Sequence, residues 1–450
     1  MGRFETHSHS YYSNIRILDS INRPRDMILT AAKLGYSGIA LTDHEALCGA
    51  VEWLQNEQDL KSKGQIPLNF KCALGNEIYL VDQRVMKQSY YHYLLIAKDT
   101  IGFRQLCELS SKSWYHSYFD RGLERVPTLK QELEEIVLRN PGHLIASTAC
   151  LGSFTATLVN DLLMAEGSQQ DQKICQCRKA LEDWFEWNKK LFSEDFYLEI
   201  APSKSKDQIR YNKKLKQLAR IFHIKIECGS DAHYLIAEDR YVHKAYLNSK
   251  EGEREVDDFY AYAHLMSDEE AYGNLSSIFS REEFLEICEN SLEIMKKIKN
   301  YDIFHNPIIP QTDVLDYQKT LPREVQKYPI LTSLFLSDNI QERYWVNQCW
   351  DGLRQYPFLM NDRYFARLET EADTIKTVGD KLGNCLFAYF NTFQNFINLF
   401  WECGSIIGPG RGSSVCFLSN YLLGITQLDP VQWGLAEWRF LNKERLELPD

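Results

Sequence analysis

The feature that most constrains the fold is an alternation of short apolar runs with longer amphipathic segments over the first half of the chain. This alternation is typical of parallel strands joined by crossover helices, and about seven strand–helix units fit into roughly 240 residues. The predicted class is therefore α/β, with a barrel-like sheet. The predicted strands are 4–9, 38–42, 72–81, 92–97, 143–147, 196–200 and 224–229, and the predicted helices include 24–34, 101–111, 129–138, 173–191 and 204–221.

The chain changes character after the last of these strands. Residues 247–259 are charged and non-periodic, and a helical run follows near 281–299. Three prolines, Pro307, Pro310 and Pro322, predict an extended connector around 306–322, because proline cannot donate the backbone hydrogen bond that a helix interior needs. The sequence therefore predicts two domains, 1–265 and 266–450.

Composition narrows the class of protein. The 450 residues carry a net charge of −11, so any phosphate-binding site must be local rather than part of a globally basic surface. The 12 cysteines show no regular framework, no run of about 18 apolar residues is present, and the start Met-Gly-Arg-Phe lacks a signal-peptide pattern. These features predict a soluble, cytoplasmic protein with no membrane partner.

Two pairs of potential metal ligands, each with i, i+2 spacing, lie at the ends of predicted strands. His7 and His9 end the first strand, and Asp231 and His233 follow the last one. Residues i and i+2 of a strand project from one face, so both members of a pair can reach one metal ion. A single motif of this kind more often consists of histidines that bind no metal.

Further ligand-type residues fall beside other predicted strand ends, namely Asp43, His44, Glu77, His92 and Cys150. In a parallel α/β barrel the carboxyl ends of the strands converge on one mouth, where active sites lie. These residues are therefore predicted to form one constellation with the two pairs.

Together with the runs Leu41-Thr-Asp-His44, Gly75-Asn-Glu77, Ala149-Cys150-Leu-Gly and Ser230-Asp231-Ala-His233-Tyr, these residues resemble the PHP (polymerase and histidinol phosphatase) domain. The resemblance implies a distorted (β/α)7 barrel that holds two or three divalent ions through nine ligands. The nine matching positions are His7, His9, Asp19, His44, Glu77, His92, Cys150, Asp231 and His233.

The donor types indicate the chemistry. A mixed imidazole, carboxylate and thiolate set suits zinc, manganese or iron better than magnesium, which prefers oxygen ligands. Clustered divalent ions favour phosphoester hydrolysis, here expected as a 3′ to 5′ exonuclease. The alternative is a metal site that only stabilises the barrel. Cys175 and Cys177 are expected to be idle thiols, because residues i and i+2 of a helix face apart.

A glycine-rich run, Gly404-Ser-Ile-Ile-Gly-Pro-Gly-Arg-Gly-Ser-Ser414, lies near the end of the chain. Gly408, Gly410 and Gly412 let backbone N–H groups approach an anion, while Arg411, Ser413 and Ser414 add donors. The spacing is neither that of a Walker loop nor that of a dinucleotide fingerprint. The run predicts a binding site for a triphosphate.

This loop, the preceding Ala388-Tyr-Phe-Asn-Thr-Phe-Gln-Asn-Phe-Ile and the downstream Arg439-Phe-Leu-Asn and Leu-Pro-Asp450 resemble the palm of C-family bacterial replicative DNA polymerases. The resemblance implies an incomplete α+β palm of the nucleotidyltransferase type. It implies that Arg411, Ser413, Arg439 and Arg445 hold the incoming nucleotide, and that Asp450 is the first carboxylate for magnesium. Asp450, Arg411 and Ser413 are the expected catalytic residues of this site.

The resemblance also implies partners. The chain is expected to be the amino-terminal part of the DNA polymerase III alpha subunit or a relative, unable alone to extend a primer. Its expected partners are a DNA primer–template, a dNTP and the remaining carboxy-terminal portion, and through that portion a sliding clamp and other replisome subunits. The alternatives are a stand-alone PHP phosphatase and a non-catalytic scaffold with structural metals.

Overall fold

The protein is described by a computed structural model that covers residues 2–15, 18–249, 258–305 and 308–444. The chain forms two compact units, Met1–Ile303 and Phe304–Asp450. This division lies later than the 265/266 boundary that the sequence predicts. The reason is that residues 266–303 pack on the first unit: Phe284 and Ile287 join its largest hydrophobic core, and Ser291 Oγ accepts a hydrogen bond from the backbone N–H of Phe4.

The first unit is built around one large sheet. The strands of this unit are β1 (Phe4–Glu5), β2 (Gly38–Leu41), β3 (Lys71–Val81), β4 (Tyr91–Ala97), β5 (Tyr118–Asp120), β6 (Leu123–Arg125), β7 (Pro127–Leu129), β8 (Leu144–Ser147), β9 (Phe196–Ile200) and β10 (Lys225–Cys228). In the large sheet they follow the order β1-β2-β3-β4-β8-β9-β10, with β7 paired to β3, and β5 and β6 form a separate hairpin.

The two edges of this sheet come together beyond the ends of β1 and β10. An isolated parallel bridge joins Ser8 to Ala232. His9 N–H donates to the carbonyl of Ala232 at 3.0 Å, and Ala232 N–H donates to the carbonyl of His7 at 3.3 Å. The sheet is therefore nearly closed, and the predicted α/β class with a barrel-like sheet is confirmed.

Strand β4 departs from the parallel arrangement that the alternation predicts. It is antiparallel to both of its neighbours, β3 and β8. The cause is the connection between β3 and β4, residues 82–90, which contains no helix. A parallel pair needs a crossover of about a dozen residues or more, usually a helix, so this short loop reverses the chain instead.

The described residues of the first unit form ten α-helices in addition to the sheet. Polar N-caps begin several of them: Asp99 accepts from the N–H of Gly102, Ser153 from that of Ala156, and Ser205 from that of Gln208. The helices are α1 (Pro24–Lys33), α2 (Ala50–Ser62), α3 (Thr100–Tyr115), α4 (Lys130–Arg139), α5 (Phe154–Gly167), α6 (Asp171–Phe192), α7 (Lys206–Phe222), α8 (Arg240–Leu247), α9 (Asp268–Leu275) and α10 (Arg281–Lys297).

The second unit consists of helices and loops in its described residues, whereas the sequence predicts an α+β palm. Apolar side chains here recur at helical spacing, as in Phe365, Leu368, Ala372 and Ile375, and they form one core with Trp345 and Phe387. The helices are α11 (Pro329–Phe335), α12 (Ile340–Arg354), α13 (Asp362–Leu382), α14 (Phe387–Glu402) and α15 (Leu418–Leu422).

Helices long and apolar enough to cross a membrane do not occur in the described part of the chain.

Candidate metal centre and anion-binding loop

The structure brings all nine predicted ligand residues to one mouth of the barrel. His7 and His9 lie just beyond β1, in the extended segment that bridges to Ala232, so they keep the strand-like spacing although the strand itself ends at Glu5. His44 follows β2 and forms a parallel bridge with Glu77 of β3. Because β4 runs antiparallel, His92 at its start reaches the same mouth that the other strands reach with their ends.

The donor atoms form three groups in which each atom lies within 4.8 Å of the others. The groups share members, so they are parts of one centre. The first contains His7, His9 and Glu77, the second His44, Glu77 and His92, and the third His9, His44 and His233.

Glu77 lies at the middle of this centre. Its Oε2 is 2.7 Å from His44 Nδ1 and 3.5 Å from His9 Nε2, and its Oε1 is 2.7 Å from His92 Nδ1. The register of β3 and β4 places His92 opposite Tyr79, two residues along the strand from Glu77. The carboxylate can therefore bridge two of the groups.

The remaining predicted ligands complete the edges of the centre. Asp231 Oδ1 is 3.1 Å from His9 Nε2, and Cys150 Sγ is 3.5 Å from His92 Nδ1. Asp19 Oδ2 is 2.7 Å from His44 Nε2 and 3.0 Å from His233 Nε2. The predicted ligand roles of the nine side chains stay predictions, but no member of the set lies apart from the others.

These residues fit divalent ions. Glu77 Oε2, Asp231 Oδ1 and His44 Nδ1 are buried, and although each lies within 3.1 Å of another donor atom of the centre, none forms a hydrogen bond of regular geometry with the described residues. Leaving buried polar atoms unpaired is costly, and metal coordination is one way in which proteins satisfy them. The donors combine imidazole nitrogen, carboxylate oxygen and a thiol sulfur, which suits zinc, manganese or iron.

Burial and neighbouring charges keep His9 in the form that a metal needs. Desolvation by burial, together with the nearby imidazoles of His44 and His233, lowers the pKa of His9 to about 3. A coordinating imidazole must be neutral, and this lowered pKa keeps His9 neutral near pH 7.

The backbone is strained where the centre is built. Glu45, Ala149 and Asp231 adopt positive φ angles of 54°, 60° and 46°, and each is a predicted ligand or directly follows or precedes one. Side chains with a Cβ disfavour this region, so the surrounding structure must hold it. Such strain is typical of functional sites.

Two residues that the sequence did not single out support the ligands. Glu199 Oε1 lies 2.8 Å from His7 Nδ1, and this contact leaves Nε2 of the same ring directed at Glu77 and Asp231. His243 Nε2 lies 2.6 Å from the backbone carbonyl of Asp19, although its position in the sequence fits no ligand spacing. The sequence feature that could have identified Glu199 is its charge, because the other residues of the strand Phe196–Ile200 are hydrophobic.

We expect Glu199→Gln to weaken metal binding by about 10- to 100-fold, because loss of a carboxylate that orients a ligating histidine has effects of this size. The measurement is the midpoint of metal loss in a chelator titration. The control is Glu186→Gln, because Glu186 is an exposed residue of α6, and this variant should leave the midpoint unchanged. Equal midpoints for Glu199→Gln and the wild type would contradict the role of Glu199.

Other cysteines and histidines of the first unit lie outside the three groups. Cys175 is exposed on α6 and Cys177 is partly exposed there. His143 pairs with Asp99 at 2.9 Å, and His264 Nε2 lies 3.1 Å from Glu270. Each of these two histidines therefore has a carboxylate partner and needs no metal ion to satisfy the ring nitrogen in that contact.

The second unit contains a cavity of about 650 Å³ beside the glycine-rich run. Its lining residues include a polar set and an aromatic set, named the polar wall and the aromatic wall. The polar wall contains Gly408, Gly410, Arg411, Gly412, Ser413, Ser414 and Arg439, and the aromatic wall contains Tyr389, Phe390, Phe393 and Phe440. Seven of the eight residues predicted to bind a nucleotide therefore line one cavity.

Two arginines border this cavity. Among the residues that the structure describes, neither Arg411 nor Arg439 forms an ion pair. Arg411 is exposed, so it can turn toward an anion. Arg445 and Asp450, the other predicted members of the polymerase site, lie outside the described residues.

Hydrogen bonds hold the shape of the loop. Gln427 N–H donates to the carbonyl of Pro409 at 2.8 Å, and Asn420 Nδ2 donates to the carbonyl of Ser414 at 2.8 Å. Gly410 adopts φ +123°, and a Cβ at this position would lie 2.5 Å from Val415 Cγ1. The loop therefore requires glycine at 410 for both conformational and steric reasons.

We expect Gly410→Ala to destabilise the protein by about 1–3 kcal/mol, because it forces a strained backbone angle and a steric clash. Gly408→Ala is the control, since no atom lies within 4 Å of its added methyl group. Thermal unfolding measures both. A Gly410→Ala variant as stable as Gly408→Ala would show that the loop relaxes freely.

Comparison with known proteins connects the two sites to two families. Residues 5–203 match the PHP domain, and residues 343–450 match the bacterial DNA polymerase III alpha NTPase domain. The first match includes seven of the nine predicted metal ligands, and the second includes the glycine loop.

Relatives of similar sequence are DNA polymerases. The DNA-directed DNA polymerase of Bacillus phage SPbeta is 35% identical over 465 residues, which cover 99% of this chain and 36% of that protein. The DNA polymerase III subunit alpha of Campylobacter jejuni is 29% identical over 464 residues, which cover 99% of this chain and 35% of that protein. The chain thus spans about a third of the length of these curated relatives, and it carries one region that matches the PHP domain and one that matches the bacterial DNA polymerase III alpha NTPase domain.

Proposed function

We propose that the barrel mouth is a metal-dependent phosphoesterase site that removes nucleotides from the 3′ end of DNA. The observation that carries this proposal is the convergence of nine ligand-type side chains, six of which form three overlapping groups while Asp19, Cys150 and Asp231 lie beside them. A centre that only stabilised the barrel would need one closed group of four ligands rather than three that share Glu77, His9 and His44.

The residues of the centre have separate tasks. Glu199 holds the ring of His7, and the bridging carboxylate of Glu77 sets the spacing of two groups. The side chain of His92 is 26% exposed, more than those of His7, His9, His44 and His233, so the centre opens toward His92. A phosphodiester is expected to approach from that side, where Tyr79 stacks on His92 with ring centroids 4.7 Å apart. Divalent ions held here would activate a water molecule and neutralise the charge of the phosphate.

The relatives indicate the substrate class. A polymerase gains accuracy when it removes a mispaired 3′ nucleotide, so DNA is the substrate that this centre would meet in such a protein. The proposed metals are zinc, manganese or iron, and about two or three ions per chain are expected from the three groups.

A primer-shortening assay tests the proposal. A DNA primer labelled at its 5′ end is incubated with the protein and manganese or zinc, and stepwise shortening is followed on a gel. The double variant His7→Ala, His9→Ala should abolish shortening, because these residues supply ligands to two of the three groups. Equal rates for the wild type and the double variant would assign the activity to a contaminant or to another site.

The same samples separate the alternatives. Hydrolysis of histidinol phosphate without primer shortening would favour a stand-alone phosphatase. Full metal content with neither activity would favour a scaffold with structural metals.

We also propose that the cavity of the second unit binds the triphosphate of an incoming nucleotide. The specific observation is that Arg411 and Arg439 flank one cavity together with the glycine loop. The loop provides backbone N–H groups and two hydroxyl groups, and the aromatic wall provides surface for a base or sugar.

The whole reaction in this proposal is nucleotidyl transfer on a DNA primer–template. It requires magnesium and carboxylates, among which Asp450 is the predicted first one. The other proposed partners are the remainder of a full-length polymerase and, through it, a sliding clamp and other replisome subunits.

A further inference from the structure

A buried ion pair lies behind the glycine loop in the second unit. Arg367 and Glu371 are one turn apart on α13, and Arg367 Nε lies 2.7 Å from Glu371 Oε1. The side chain of Glu371 is fully buried, and that of Arg367 is 16% exposed. A buried charge pair needs further hydrogen bonds to offset desolvation, and the partners of this pair show what it holds in place.

Glu371 holds the chain directly after the loop. Its Oε1 accepts a hydrogen bond from the N–H of Leu418 at 2.6 Å, and its Oε2 accepts one from the N–H of Ser419 at 2.9 Å. Leu418 and Ser419 begin α15, whose first N–H groups have no partner within the helix. One carboxylate therefore anchors the helix that follows the loop.

Arg367 holds two other segments. Its Nη2 donates to the carbonyl of Cys416, the last residue of the 3-10 helix Gly412–Cys416, and to the carbonyl of Leu435 at 2.9 Å. Its Nη1 lies 3.1 Å from Glu437, which begins the 3-10 helix Glu437–Arg439. The guanidinium therefore ties the downstream end of the glycine loop to the segment that carries Arg439.

We propose that Arg367 and Glu371 are positioning residues that set the separation between the glycine loop and Arg439, and thereby the affinity of the cavity for a nucleoside triphosphate. This inference rests on the proposed nucleotide site. Neither residue lines the cavity, and both act through the segments that they hold.

The physical reason is preorganisation. A triphosphate is bound most tightly when Arg411 and Arg439 contact it together, because groups that are already in position lose little freedom when the ligand binds. Contacts of the base and sugar with the aromatic wall do not depend on this separation to the same degree. Loss of the pair should therefore weaken triphosphate binding more than monophosphate binding.

The chain offers a matched control on the same helix. Glu369 accepts hydrogen bonds from the N–H groups of Ile330 and Leu331 at 2.8 and 2.9 Å, so it anchors the start of α11 as Glu371 anchors that of α15. Both glutamates support a helix start in the same unit, but only Glu371 supports the segment next to the loop. A purely structural effect would appear in both variants.

The experiment measures binding of a radiolabelled dNTP and of the matching dNMP by equilibrium dialysis, with magnesium, for the whole 450-residue chain. For Glu371→Gln we expect dNTP affinity to fall by about tenfold or more and dNMP affinity to change by less than about twofold. Glu369→Gln should lower the melting temperature and leave the ratio of the two affinities unchanged. Arg367→Lys, which keeps the charge and loses the branched contacts, should resemble Glu371→Gln.

The outcomes are distinct. A wild-type chain that binds dNTP no better than dNMP would refute the proposed nucleotide site. Selective dNTP binding that survives in folded Glu371→Gln and Arg367→Lys would overturn the role of the pair alone. If both variants fail to fold, Glu437→Gln replaces them, because it weakens only the contact of Arg367 with a partly exposed glutamate. An unchanged ratio of dNTP to dNMP affinity in this variant would contradict the role of the pair.

Discussion

Replacing His9 by alanine is expected to remove metal binding and phosphodiester hydrolysis from the barrel together. His9 belongs to two of the three donor groups, and its Nε2 lies 3.1 Å from both His7 Nε2 and Asp231 Oδ1. Loss of a residue that only orients a ligand typically costs 10- to 100-fold, so loss of a shared ligand should cost at least about 100-fold in metal affinity and rate.

Two measurements on the same protein preparation check this result. Elemental analysis gives the number of ions per chain, and the primer-shortening assay gives the rate. His143→Gln is the control, because His143 is a partly buried histidine of the same unit that pairs with Asp99 rather than with the centre. Unchanged metal content and rate in His9→Ala would remove His9 from the centre, whereas metal loss with full activity would mean that hydrolysis occurs elsewhere.

The double substitution Arg411→Gln, Arg439→Gln is expected to abolish measurable triphosphate binding. Both guanidinium groups border the cavity, and neither is engaged in an ion pair with the residues that the structure describes. A hydrogen bond to a charged group contributes about 1.5–3 kcal/mol, so each arginine should account for about 10- to 100-fold in affinity.

Equilibrium dialysis with a labelled dNTP measures the effect, and each single variant should be intermediate. Arg354→Gln is the control, since Arg354 is an exposed arginine of the same unit with a side chain that is 64% exposed. An affinity in the double variant equal to that of Arg354→Gln would show that the triphosphate binds elsewhere. Melting temperatures should stay close to wild type, because neither arginine is buried.

Patterns of neighbouring residues were enough to predict many of the strands and helices of the first unit and the donor types that lie at its mouth. The strand predicted at 196–200 is β9 without a change of bounds, because the charged Asp195 precedes its apolar run and Pro202, which cannot donate a ladder hydrogen bond, follows it closely. The i, i+2 spacing of His7 and His9 and that of Asp231 and His233 rests on local backbone geometry, which needs no knowledge of the rest of the fold. The glycine loop was visible for the same reason, since three glycines within five residues are a local signal in the sequence.

Contacts between distant parts of the chain were decided only by the tertiary structure. The sequence predicted parallel strands, yet the antiparallel β4 is what carries His92 to the mouth beside Glu77. The hydrogen bond of His7 with Glu199 joins residues 192 positions apart, and that of Arg367 with Leu435 joins residues 68 positions apart. No periodicity within a short segment encodes such pairs, because they depend on which elements the chain packs together. The amino-acid sequence by itself therefore determined which imidazole, carboxylate, thiol and guanidinium groups the protein carries, whereas strand direction and long-range packing decided which of them meet and what holds them in place.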